Sequence, residues 1–346
     1  MKKKYLLISL LFLLSLQQSF SQFSQLKYQI INKISLKGDG GWDYLCVDDS
    51  ASRLYVSHGS MVQVVDVISN KLIDTIGDTK GVHGIAFARE FNKGFISNGK
   101  DTSISVFNLK TLQLITKIKI TGINPDAILY DSYSQRVFVF NGRSSNATVI
   151  DAKSDKIIGT ITFTGKPEFS VSDLKGKIFV NIEDKSEICV INANSLKVEH
   201  NWPIAPGKEP SGLAIDIKSH RLFSVCDNKL MLVVNSDNGK VICSVSIGEN
   251  VDGVAFDPIL KRIYSSNGEG TLTIIQEVSP DLYKVLETLK TQKGARTIAL
   301  NSKTHCIYLT TAEYGETPKS TEELPHPRPS ILPNTFTILE ISQNTK

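Results

Sequence analysis

The sequence predicts an all-β fold, a seven-bladed β-propeller of four-stranded antiparallel blades. Three observations carry that prediction: a repeat near 42 residues, apolar residues confined to strand-sized runs, and an N-terminal strand with no blade of its own. The repeating unit is clearest at 85–118. There, strands are expected at 85–87, 94–97, 103–107 and 114–120, separated by Asn92-Lys93, Asn98-Gly99 and Asn108-Leu109-Lys110 turns. The Asn-Gly pair suits a tight hairpin, because both residues tolerate positive φ.

The copies are counted from the polar residue that ends each third strand. These are Asp66, Asn108, Asp151, Asn192, Asn235, Gln276 and Glu340. The first five gaps are 41 to 43 residues, one propeller blade each, and seven columns mean seven blades. The last gap is 64 residues, so roughly 22 are inserted in the final blade relative to a repeat of about 42. The Asp and Asn residues of this column are read as caps of the following turn.

The segment 28–36 resembles a fourth strand yet precedes the first blade, and the last blade supplies only three strands, at 297–300, 306–310 and 335–341. The N-terminal strand should therefore complete that blade and close the ring, since an open propeller would leave an unpaired edge. One domain is expected over 22–346, with almost no helix.

Residues 1–21 have a basic start (Lys2, Lys3, Lys4), an apolar run and small residues Ser19 and Ser21 around Phe20, the layout of a cleavable secretory signal. Cleavage after Ser21 and a periplasmic or extracellular product are expected, with no transmembrane segment in the mature chain, because the run is short for a membrane span and no Cys follows it. Losing that segment lowers the formal charge from +4 to +1. A near-neutral chain has no basic footprint for nucleic acid. Cys46, Cys189, Cys226, Cys243 and Cys306 each fall in a strand pattern without Cys-x-x-Cys spacing, and are read as small buried apolar residues.

Second strands read Leu54-Tyr55-Val56-Ser57, Val137-Phe138-Val139-Phe140, Ile178-Phe179-Val180-Asn181 and Ile263-Tyr264-Ser265-Ser266, each preceded by Arg53, Arg136, Lys177 or Arg262. With third strands such as Ser105-Val106-Phe107-Asn108, these runs resemble the YVTN-repeat, YncE-like β-propeller family over almost the whole mature chain. The resemblance implies the fold; its motifs are packing residues. Some members are described as DNA-binding, an implication that the charge of this chain opposes. The pattern departs from the family in blade four (Ile182-Glu183-Asp184) and blade five (Cys226-Asp227-Asn228), and the Gly-His and Trp-Asp marks of WD repeats are absent.

In a propeller the first strand of each blade lines the central channel, and the loop entering it opens on the same face as the loop joining strands two and three. The residues entering the first strands are Asp43, His83, Asp126, Glu168, Ser211, Asp252 and Arg296. Four carboxylates, an imidazole and a guanidinium around one mouth suit a small polar ligand or protein partner. Asp43, His83 and Asp126 in particular suit a divalent cation in the channel. His58 is a further candidate ligand residue. Asn98, Asn141 and Asn267, each before Gly, are assigned to hairpin turns. The insertion, 313–333, holds five prolines, which stiffen it and deny it a sheet; it should emerge on the mouth side and bring His326 or Arg328 toward the ring. No nucleophile elbow, zinc-protease helix motif or phosphate-cradling loop is present. The function expected is that of a monomeric, non-enzymatic binding protein, with a metal-assisted hydrolase or lyase, lactonase-like by analogy of fold, as the alternative.

Overall fold

The computed structural model describes residues 27–321, 327 and 329–344. The segment 1–21, expected to be a secretory signal, lies outside them. Seven four-stranded antiparallel sheets form the blades. Blades one to six occupy residues 42–76, 82–119, 125–162, 167–203, 210–246 and 251–290. The seventh is built from both ends of the chain: Ile298–Leu300, Ile307–Thr311 and Thr337–Gln343, with Tyr28–Ser35 as its outer strand, pairing Tyr28 with Gln343 and Ser35 with Thr337. Helix is limited to two single 3-10 turns among the described residues, Arg89–Phe91 and Glu183–Lys185.

The sequence folds this way because the second and third strands are apolar on both faces, while the fourth alternates with water. Arg136–Asn141 and Glu187–Asn192 are almost wholly buried, whereas Lys71–Ile76 buries only Ile76. Each apolar cluster is shared by neighbouring blades: Tyr55, Val62 and Val64 of blade one meet Ile85, Phe87 and Phe107 of blade two. A register shift interrupts the pairing of strands three and four in blades one to six, as between Val64 and Val65 or Val149 and Ile150. Such bulges twist an outer edge away from flat pairing with another chain.

The basic residue that precedes a second strand has a structural task. Arg53 donates to the Leu109 carbonyl (2.7 Å), and Arg136 to those of Ala193 (2.6 Å) and Asn194 (2.7 Å). Lys93 reaches Lys153 O (2.9 Å) and Asp155 (2.8 Å), and Arg221 reaches Pro280 O (2.9 Å) and Asp281 (2.7 Å). Each ties its blade to a turn of the next and satisfies carbonyls there with charge-assisted bonds. At the end of the first strands, Asp131 accepts from Ser172 (2.6 Å) and Asp257 meets His305 (2.6 Å), again across blade boundaries.

Three local expectations are corrected. The Asn-Gly turns are not tight two-residue hairpins: Asn98 pairs with Ser103 and Asn141 with Asn146, and positive φ falls on Thr102 and Ser145. The asparagine is needed inside, where Asn98 Nδ2 donates to Ser103 Oγ (3.1 Å) and Ser105 Oγ (2.9 Å), and Asn141 Nδ2 to Asn146 Oδ1 (2.8 Å) and Thr148 Oγ1 (3.1 Å). Cys306 lies just before its strand, and Cys46, Cys243 and Cys306 are only half-buried; Cys189 and Cys226 are fully buried. The insertion does pair at its base, through Tyr314↔Ile331 flanked by Gly315 N–H to Ser330 O and Leu332 N–H to Glu313 O, both 2.9 Å. The prolines lie beyond that rung or after it. The caps behave as read: Asp66 accepts from Ser69 N–H (2.7 Å), and Asp151 from Ser154 N–H (2.8 Å).

Candidate site at the channel mouth

The ring residues sit where their strands converge. Asp43 follows Trp42 at the start of Trp42–Asp48, and its N–H donates to Ser57 Oγ (3.0 Å); His83 and Asp126 occupy the matching second positions of Val82–Ala88 and Pro125–Asp131. The structure brings these three together. His83 Nδ1 is 2.5 Å from Asp43 Oδ2 and 3.5 Å from Asp126 Oδ1, and one ligand atom from each residue lies within 4.8 Å of the others. The imidazole rests on Gly99: a Cβ there would come within 2.6 Å of His83 Nε2, so the close approach requires glycine. The remaining ring residues are paired. Arg296 Nε lies 3.2 Å from Asp252, Glu168 and Glu183 both bind Lys166, and Ser211 Oγ donates to Val251 O (3.2 Å).

Burial and mutual repulsion set the protonation of this ring. Desolvation first, then the Asp43 charge, pushes Asp126 up to about 7. Desolvation and the Asp126 charge push Glu168 up to about 8 against the pull of Lys166. Desolvation pushes Asp252 up to about 6, although Arg296 opposes it. Burial alone pulls the His83 imidazole down, but the bond to Asp43 and the fields of Asp126, Asp43 and Glu168 outweigh it and leave the pKa above the ordinary histidine value. A floor of this kind can share protons near neutral pH. Alternatively, it can accept a cation that relieves the crowding of acids.

Below the ring the channel is plugged. The side chains of Tyr44 and Phe169, from blades one and four, meet with ring centroids 5.4 Å apart. Burial, then the fields of Asp126, Asp43, Glu168 and Asp252, raises the Tyr44 pKa. Above the plug opens a cavity of about 1170 Å³, lined by Asp43, His83, Trp42, Asn124 and Arg296, with Lys80, Lys100 and Arg143 at its rim. Below it a smaller apolar cavity of about 470 Å³ includes Leu129, Val171 and Ile215.

His58 does not join the ring. It is 1% exposed, packs on Phe336 (centroids 4.0 Å apart) and bonds Gln63 (3.0 Å). His326 and Arg328 lie outside the described residues. The base of their insertion stands at the edge of the mouth, where Tyr314 packs on Trp42 and its hydroxyl abuts Gly294, two residues from Arg296. Sequence reasoning missed the rim cations and the aromatic plug. The plug was visible as aromatic residues directly after two ring positions, Tyr44 after Asp43 and Phe169 after Glu168.

Comparison with known proteins adds the relatives. The uncharacterized protein YncE of Salmonella typhimurium is 24% identical over 213 residues, covering 59% of this chain and 58% of that one. The chain is a seven-bladed β-propeller similar to YncE. The YncE of Salmonella typhi is 23% identical over the same extent, so the YncE-like chain matches somewhat more than half the length of these relatives. No family model matches. Among solved structures, a chain of Kuenenia stuttgartiensis hydrazine synthase superposes with a TM-score of 0.70 at 17% identity, over 79% of this chain and 94% of that one. A chain of a mitotic checkpoint complex gives 0.72 at 12% identity, over 82% and 89%. These two likenesses concern the fold alone. No helix among the described residues is long and apolar enough to cross a membrane.

Proposed function

We propose that this chain is an exported YncE-like propeller that binds a small polar ligand at the channel mouth. The observation that carries the reading is the open cavity of about 1170 Å³ whose floor is the imidazole of His83 set between Asp43 and Asp126. Concave sites with a few convergent polar groups are where small ligands bind. Export rests on the basic and apolar character of residues 1–21. Intact-mass measurement of the protein recovered from outside the cytoplasm should give a chain beginning at Gln22; an unprocessed Met1 terminus in that fraction would sink the export reading.

A second reading, metal-assisted hydrolysis or elimination, is favoured by the Asp43, His83, Asp126 geometry, which offers two carboxylate oxygens and one nitrogen to a divalent cation. A cation there would polarise a bound carbonyl or phosphoryl oxygen, while Glu168 and Asp252 stand close enough to influence the same acids electrostatically. Binding to the folded state alone should raise stability by about 2.7 kcal/mol at a hundred times the dissociation constant. Thermal unfolding with Mn²⁺ or Zn²⁺ is expected to shift upward for the parent and not for Asp43→Asn combined with Asp126→Asn. An equal shift in both would place the cation elsewhere and remove the hydrolase reading.

A further inference from the structure

The mouth has an uneven charge pattern that its own pairing does not explain. In blades four to seven several basic groups on this side meet acids: Lys166 with Glu168 and Glu183, Lys229 with Glu249 (2.5 Å), and Arg296 with Asp252. In blades two and three they do not. Lys80, Lys100 and Arg143 all border the cavity, and among the described residues none comes within 4.0 Å of a carboxylate. The acids next to them in sequence, Asp78 and Asp101, are both taken by Lys117, at 2.9 and 3.2 Å.

These three cations come from three hydrogen-bonded loops, those of Lys80 and Lys100 tied to each other and that of Arg143 to the loop entering its own blade. Lys100 N–H donates to Lys80 O (3.2 Å), Gly99 N–H to Gly81 O (2.8 Å), and Arg143 N–H to Ile123 O (3.2 Å). They stand on the side of the mouth where Asp43, His83 and Asp126 lie, since those residues belong to blades one to three. An acidic floor under an unpaired basic rim does not suit a lone anion, which the floor would repel, and leaves the rim without a partner when a cation alone is bound. It suits an anion that arrives over a cation.

We propose that the mouth takes a small molecule bearing an oxyanion, carboxylate or phosphate, above a divalent cation held by Asp43, His83 and Asp126, with Lys80, Lys100 and Arg143 gripping the oxyanion. The inference rests on the reading of the mouth as a ligand site and names its ligand class. Lys100 and Lys80 supply point charges on flexible stems; Arg143 supplies the planar fork that binds two oxygens at once. The division of labour separates the cation, read by the floor, from the anion, read by the rim.

Calorimetric titration of the full mature protein tests it. Mn²⁺ is titrated first, then inorganic phosphate or succinate into the Mn²⁺-loaded protein, in parallel with His83→Ala and with the triple variant Lys80→Gln, Lys100→Gln, Arg143→Gln. We expect at least one anion to bind the loaded parent, about ten-fold or more weaker binding of it to the triple variant, and Mn²⁺ binding by the triple variant no weaker than by the parent. Phosphate alone binding assigns a phosphate-bearing ligand, and succinate alone a carboxylate. Melting curves of the variants confirm that each is folded. If Mn²⁺ binds and His83→Ala abolishes it, but neither anion binds at millimolar concentration, this inference fails while the mouth remains a ligand site. Equal anion affinity in parent and triple variant likewise overturns it. If the mouth variants alter the binding of no probe, the reading of the mouth falls too.

Discussion

A chain that starts at Lys37 is expected to lose cooperative unfolding near the parent's melting temperature, and a peptide of residues 27–36 added in trans is expected to restore it. The missing strand, Tyr28–Ser35, makes seven register pairs with Thr337–Gln343 and contributes Tyr28, Ile34 and the adjoining Leu36 to the core. Its loss uncovers more than apolar area. The Tyr28 hydroxyl accepts from Arg262 (2.6 Å) and lies 3.0 Å from the Tyr264 hydroxyl, and both partners are buried. Removing a buried aromatic side chain costs about 3–5 kcal/mol. Losing the hydroxyl acceptor costs about 1–3 kcal/mol more, while Arg262 keeps Gln276 and Gln343 as acceptors. Together they rival a whole domain's stability of about 5–15 kcal/mol. Circular dichroism followed through thermal or urea unfolding reads the outcome. A truncated chain melting within about 2 °C of the parent would show that six blades and a three-stranded seventh suffice, contrary to the cost of an exposed edge and core.

The second large effect is expected at Glu277, a carboxyl 2% exposed with no hydrogen-bond partner at either oxygen. Burial, then the charge of Asp216, raises its pKa; the Lys261 ammonium, 3.7 Å away, opposes the shift without cancelling it. The sign follows from linkage. Because the folded protein holds this proton more tightly than the unfolded chain, folding is undisturbed by it in acid. Stability is lost as pH rises from the ordinary glutamate range through the raised folded pKa. Glu277→Gln removes the charge and gives Asp216 an amide donor. The substitution should raise stability by about 1–3 kcal/mol at pH 8, the scale of an unsatisfied buried polar group, and by little at pH 4. Denaturant midpoints at the two pH values decide it. A loss of stability at pH 8 would mean that Lys261 satisfies the carboxylate after all.

The fold was legible because a propeller writes its period into the chain. The column from Asp66 to Glu340 recurs for the same reason that each Asp or Asn accepts from the next turn, so local chemistry and global repeat agree. Symmetry also made the ring readable: equivalent positions in equivalent strands end up around one axis, which is how Asp43, His83 and Asp126 could be grouped without knowing their distances. What symmetry cannot supply is pairing. Nothing in the spacing says that Lys117 draws Asp78 and Asp101 away from Lys80 and Lys100, or that His58 turns inward onto Phe336 while His83 does not. The Asn-Gly steps misled because the pair has a strong turn preference, whereas the buried hydroxyls of Ser103, Ser105 and Thr148 compete for the asparagine amide and win. The basic residues ahead of second strands served only as a mark of resemblance; the carbonyl partners of Arg53 and Arg136 lie 56 to 58 positions onward and become visible only in three dimensions.

Pairing Tyr28 with Gln343 has a consequence for biogenesis. The outermost ribbon of the last wedge leaves the ribosome long before its mate, so the circle stays incomplete until both have emerged. Contacts spanning almost the entire polypeptide form slowly, because the intervening length must be immobilised before they contribute. A nascent molecule of this design stays unlatched for most of its synthesis, and the ring closes only once both of its distant edges have been made.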